Sequence, residues 1–136
     1  MAAIDPAHFR ELCGRFTTGV VIVTAADRNG APAGMTANSF ASVSLNPPLV
    51  SLNVDHGADF HAVIAEADQF CINILAADQE ALSRRFATPD PARFDGVGYR
   101  RSESGGIVLS GVLAAIECET FQRIPVGDHT IVIGKV

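Results

Sequence analysis

Between Gly34 and Val54 the chain reads GMTANSFASVSLNPPLVSLNV, two extended segments joined at Pro47 and Pro48. The first segment carries Thr36, Asn38, Ser39, Ser42 and Ser44 where a buried strand would normally place Val, Ile, Leu or Phe. Burying a polar side chain without a partner costs roughly 1–3 kcal/mol. These groups therefore need partners. Small hydroxyl and amide residues let a flat ligand approach the backbone, whose N–H and C=O groups satisfy its polar edge. The same residues also suit a polar strand facing water, and spacing alone leaves both readings open.

Two other places have chemistry to offer. His129 opens a strand directly after Gly127 and Asp128, where its ring either reaches across a barrel mouth or bonds locally to Asp128. Arg84, Arg85, Arg93, Arg100 and Arg101 put half of the ten basic residues between positions 84 and 101. That cluster suits a phosphate, or a solvated helix end favoured by the helix dipole. Other constellations are missing: the sequence has no GxGxxG after a strand, no GxxxxGK[ST] and no GxSxG. The four histidines, His8, His56, His61 and His129, lack metal-ligand spacing, so no metal site is expected. Cys71, between Phe70 and Ile72, reads as a buried, inert thiol.

The elements that must hold these groups are short. Asp5 and Pro6 start a helix with Phe9, Leu12, Cys13 and Phe16 on one stripe, ending near Gly19. Val20 to Ala25 is a strand apolar on both faces, and Asp27-Arg28-Asn29-Gly30 is a hairpin turn. Leu49 to Val54 alternates, with Ser51 and Asn53 sharing a face. Asp59 is expected to cap a helix through Glu66, and Asp78 one through Phe86. Phe70 to Leu75, Ile107 to Leu109, Val112 to Ile124 and His129 to Val136 read as strands, while Thr88 to Gly106 reads as loop. Hairpin-punctuated short strands with a few short helices point to a mainly antiparallel barrel with helical decoration.

With 136 residues the chain is one domain by length, able to bury roughly two thirds of its unfolded surface. A net charge of −5 opposes attraction to nucleic acid or anionic membrane. No apolar run approaches the roughly 20 residues of a membrane span. Three cysteines without CxxC suggest no disulfide framework, and the first residues lack a signal-peptide pattern, so a reducing cytoplasm is expected.

Taken in order, FTTGVVIVTA at 16–25, GMTANSFASVSLNPPLVSLNV at 34–54, FCINIL at 70–75, SRRFA at 83–87, RFDGVGYR at 93–100, LAAIECE at 113–119 and GDHTIVIGKV at 127–136 resemble the flavin reductase-like proteins with the FMN-binding split barrel. These include the reductase components of two-component flavin monooxygenases. The resemblance implies a six-stranded antiparallel split barrel with Greek-key character and short flanking helices, working as a homodimer. It places Thr36, Ala37, Asn38 and Ser39 along the flavin ring and ribityl chain, Asn53 on the adjoining strand, and Arg85 and Phe86 near the flavin phosphate. His129 falls on the Gly-Asp-His motif near the nicotinamide, as an orienting group.

Two departures accompany the resemblance. His56-Gly57-Ala58-Asp59 stands where family members often have Ser, Thr or a basic residue, and the family usually continues through a further strand, whereas this sequence stops at Val136. The implied activity is hydride transfer from NADH or NADPH to FMN or FAD, with reduced flavin supplied to an oxygenase. Flavin accepts the hydride itself, which is consistent with the missing catalytic triad. The alternative is an FMN-binding electron carrier that never docks nicotinamide.

Overall fold

The computed structural model describes residues 2–136. A short helix, α1 (Pro6–Gly14), leads into β1 (Val21–Ala26), β2 (Pro32–Ala37), β3 (Ala41–Leu45) and β4 (Pro48–Asp55). Then follow α2 (Asp59–Ile64), β5 (Gln69–Ile74), α3 (Glu80–Phe86), β6 (Tyr99–Arg101), β7 (Ile107–Leu109), β8 (Ala114–Val126) and β9 (His129–Lys135).

Seven strands form one antiparallel sheet in the order β2-β1-β5-β8-β9-β4-β3, and β6 pairs with β7 as a separate hairpin. The expectation of six strands is corrected to seven, and among the described residues no ladder joins the two edges, β2 and β3. Only Asn38, Ser39 and Phe40 separate these edges in sequence. Four Cα–Cα steps span at most about 15 Å. The sheet must curl until its edges face one another. The extended segment expected to run unbroken from Gly34 is thus two strands belonging to opposite edges.

β1 explains how the layers assemble. Its residues are buried on both sides, and alternation divides them: Val21, Val23 and Ala25 join the main core with Leu52, Val54, Phe60, Ile64 and Ile72, while Ile22 joins a second core with Phe86 and Leu109. α2 supplies Phe60 and Ile64 to the first core. α3 supplies Phe86 to the second. On the second face Thr24 and Asn73 are wholly buried, and each is satisfied. Thr24 Oγ1 donates to Ile107 O at 2.6 Å, while Asn73 Nδ2 donates to Ile22 O and Thr24 Oγ1 and Oδ1 accepts the Leu109 N–H at 2.9 Å. These bonds fasten the β6–β7 hairpin to the sheet.

Several local boundaries differ from the sequence reading. α1 stops at Gly14, not Gly19, and none of its residues is buried. Ala58, not Asp59, is the N-cap of α2, and Asp59 lies in the first turn. Gln79, not Asp78, precedes α3, with its Oε1 accepting the Ala76 N–H. Two arginines tie the loop that follows α3, Arg93 to β2 at Gly34 and Arg85 back to α3. Arg93 donates to Gly34 O, Asp90 O and Thr88 O, and Arg85 Nη2 to Ala92 O and Asp95 O. Cys71 is fully buried, and burial pushes its thiol up to about 11. No helix among the described residues is long and apolar enough to cross a membrane.

Candidate active site

Where the end of β2 and the β2–β3 connection face β4 and β9 they leave a cleft of about 450 Å³. Met35 to Ser39 form one wall, and Asn53, Asp55 and His129 the other. Its volume lies within the range of roughly 300–1,000 Å³ usual for small-molecule sites. The structure thus brings together Thr36, Ala37, Asn38, Ser39, Asn53 and His129, drawn from the β2–β3 connection, β4 and β9. Asp55, which the sequence reading passed over, joins them. Its signal was the period of two that puts it on the same face as Asn53.

Two of the hydroxyls expected to face a ligand, those of Thr36 and Ser39, have protein partners. Thr36 Oγ1 donates to Ser83 O on α3 at 2.6 Å. Ser39 Oγ accepts the Asn53 backbone N–H at 2.9 Å, tying the β2–β3 connection to β4 just beyond the β3–β4 ladder. What remains for a ligand is the side-chain amides of Asn38 and Asn53, both exposed, together with edge backbone groups. Because Arg93 reaches Gly34 O from outside, Gly34 points its N–H and C=O away from β1, and alternation makes Thr36 do the same. The cleft therefore offers small side chains, outward peptide groups and two amides to a planar polar ring.

His129 is opposite Asp55 in the β4–β9 register. Its Nδ1 lies 2.7 Å from Asp128 Oδ1. An ionised carboxylate only accepts, so Nδ1 carries the proton and Nε2 is the nitrogen left for a ligand. The hydrogen bond and charge of the ring hold the Asp128 carboxyl below its usual range.

No Lys or Arg lines this cleft. Arg93 bonds Gly34 O, next to the cleft residue Met35, and Thr36 bonds Ser83 O on α3, the helix that carries Arg85. Arg85 Nη2 is engaged by the 92–95 loop, which leaves Nε and Nη1 as donors without a partner among the described residues. Phe86 is 1% exposed and packs with Ile22, Leu109 and Phe94, so its ring belongs to the second core. A larger cleft of about 980 Å³ runs between the Arg28–Glu66 pair, the 104–107 loop and the end of β9. None of the expected site residues lines it. Among the described residues, no group of three or more His, Cys, Asp and Glu is arranged to hold a metal.

The profile of the flavin reductase like domain matches residues 13–136. The chain belongs to the flavin reductase-like family. This flavin reductase-like chain is 44% identical over 135 residues to a flavin reductase of Pseudomonas putida, covering 99% of the chain and 79% of that protein. It is 45% identical over 128 residues to an NADH-dependent FMN reductase of Agrobacterium fabrum, covering 94% and 72%. Against the reductase subunit of a flavin-dependent monooxygenase from Rhodococcus jostii it is 40% identical, covering 98% and 68%. Two longer relatives are matched over only 42% of their length. Among solved structures, an NADH:FAD oxidoreductase from Streptomyces globisporus, in complex with NAD and FAD fragments, superposes with a TM-score of 0.90 at 37% identity, covering 99% of this chain and 83% of that one.

Proposed function

We propose that residues 1–136 act as one domain, an NAD(P)H-dependent flavin reductase that passes hydride from NADH or NADPH to FMN or FAD and releases reduced flavin to a partner monooxygenase. The observation that carries this reading is the cleft itself, in which Thr36–Ser39 of β2 and the β2–β3 connection face Asn53 of β4 and His129 of β9. The curl that makes this cleft is read as the split of an FMN-binding split barrel. Names borne by relatives support the nicotinamide and flavin substrates and the oxygenase partner.

Bound flavin supplies a ring that accepts hydride, so the chain needs neither a nucleophile nor a strong base. Ala37 and Asn38 leave the backbone open for that ring, and Asn38 and Asn53 offer amides to its polar edge. Outward N–H groups of β2 stabilise negative charge that develops there. Arg85 Nε and Nη1 take the phosphate, and Phe86 fixes the helix from which Arg85 projects. His129, anchored by Asp128, presents Nε2 to the nicotinamide carboxamide.

A homodimer belongs to this reading. Phe9, Leu12 and Phe16 of the N-terminal arm are 55%, 46% and 72% exposed, and Leu113 and Phe121 of the β8 region are 71% and 55% exposed. A second copy would cover apolar surface of this kind. A cytoplasmic location fits three cysteines that are all free.

The deciding experiment follows NADH absorbance with and without added FMN or FAD. Loss that requires added flavin is the expected result. Tight FMN retention with no NADH consumption would overturn the reductase in favour of a carrier.

A further inference from the structure

His129 occupies the last rung of β9 on both sides, opposite Asp55 in one ladder and Val126 in the other. The Gly127–Asp128 turn closes the β8 side of this rung, whereas the β4 ladder ends here and is the side more easily opened. Its neighbours are tied elsewhere. The His56 backbone N–H donates to Asp128 O at 2.9 Å. The Thr130 hydroxyl lies 3.0 Å from His56 Nε2 and 2.9 Å from His61 Nε2.

These contacts bring the turn after β4, helix α2 and the start of β9 to one point. The His56 and His61 rings meet edge to face with centroids 4.9 Å apart. Thr130 is 7% exposed, and its hydroxyl has one proton. With both rings neutral, it donates to one Nε2 and accepts from the Nε2–H of the other, which fixes complementary tautomers. Sheet pairing uses only the backbone of Thr130, so this node is an additional restraint. Because side chains alternate, Thr130 points to the buried face while His129 leaves β9 on the cleft side.

We propose that the His56–Thr130–His61 node is a positioning element for His129, holding the first residues of β9 so that the imidazole projects into the cleft. The proposal rests on the reading of His129 as the nicotinamide-side group. The same three side chains explain what replaces the departure at residues 56–59: hydroxyl donors are absent there, and the histidines grip the strand that carries the site.

The test uses three variants of the full chain. Thr130→Val keeps the β-branched shape and removes the hydroxyl, Thr130→Ser keeps the hydroxyl, and His61→Ala removes one ring from half-exposed α2. The first readout is the His129 ring Cε1–H cross-peak in NMR spectra of protein without nucleotide. It should move in Thr130→Val and in His61→Ala toward its position in Asp128→Asn, and return in Thr130→Ser. An unmoved cross-peak in folded Thr130→Val or His61→Ala overturns the proposal whether or not the protein reduces flavin. The second readout is kinetic. Thr130→Val, which removes both bonds of the node, should raise KM for NADH about fivefold, with kcat and FMN affinity kept. Adding His129→Ala to Thr130→Val should raise KM no further than His129→Ala alone does. Full additivity, or an equal loss of FMN affinity, would reduce the node to general structural support and overturn the proposal.

Discussion

Ser39 Oγ accepts the backbone N–H of Asn53 at 2.9 Å, so one serine side chain links the β2–β3 connection to β4 where no ladder does. Replacing it with alanine leaves that N–H to solvent and frees one edge of the cleft from the other. Ser39→Ala is expected to lose about 1 kcal/mol of stability, the usual worth of such a bond. FMN should restore less of the melting temperature in the variant than in the parent, because the cleft wall is no longer held. Equal melting temperatures, with and without FMN, would remove Ser39 from the structural account.

Arg85 combines a loop clamp with free donors, and the two roles separate by choice of ligand. Arg85→Ala should weaken FMN binding about tenfold, within the range for a charge-assisted phosphate contact. Riboflavin, which lacks the phosphate, should bind parent and variant alike. Fluorescence-quenching titrations with both ligands decide the matter: equal weakening of both would show that the loop clamp alone was lost.

Asn73 satisfies three buried groups at once, on β1, on its hydroxyl neighbour Thr24 and on β7. Asn73→Ala strands the Leu109 N–H in the second core and removes the donor to the Thr24 hydroxyl, which keeps its own bond to Ile107 O, and it leaves a cavity where the amide was. We expect a loss of about 2–4 kcal/mol in urea denaturation, since buried groups left without partners are costly. A loss below about 1 kcal/mol would mean that the β6–β7 hairpin is held chiefly by its apolar contacts.

Glu117 accepts hydrogen bonds from the hydroxyls of Ser102 and Ser104, and these hold its carboxyl below the usual glutamate range. Its folded pKa is lower than its unfolded one, so the unfolded chain binds more protons as the pH falls. The contribution is complete above the ordinary value of about 4.3 and disappears as the pH drops through the depressed one. The amide signals of Ser102 to Gly106 should therefore change on acidification in the parent and stay flat in Glu117→Gln. An acid transition that persists in the variant would assign it to another group.

Some of this architecture is legible in the sequence because the physical cause is local. VVIVTA announces a strand covered on both faces, since it lacks the alternation a one-sided strand requires. The polar run from Thr36 to Ser44 announces a wall that finds partners or faces water, and both occur: Thr36 and Ser39 bond to protein groups while Asn38 and Ser42 are exposed. The identity of those partners is not local: Thr36 finds Ser83 47 residues away, and Ser39 finds Asn53 14 residues away. The break at Asn38–Phe40 has neither Gly nor Pro to mark it, and β6 has only three residues. The arginine-rich segment was visible as charge. That Arg93 and Arg85 bond mainly to carbonyl oxygens depends on how the loop folds back over β2.

Helix α1 places no side chain in either core. Nine residues without such packing fall below the length at which a helix persists in water by itself. In a dilute, isolated copy its amide protons would be among the first to be replaced by deuterium, well before those of β1 or β5. Slow replacement there would be a direct sign that another surface had closed over the arm.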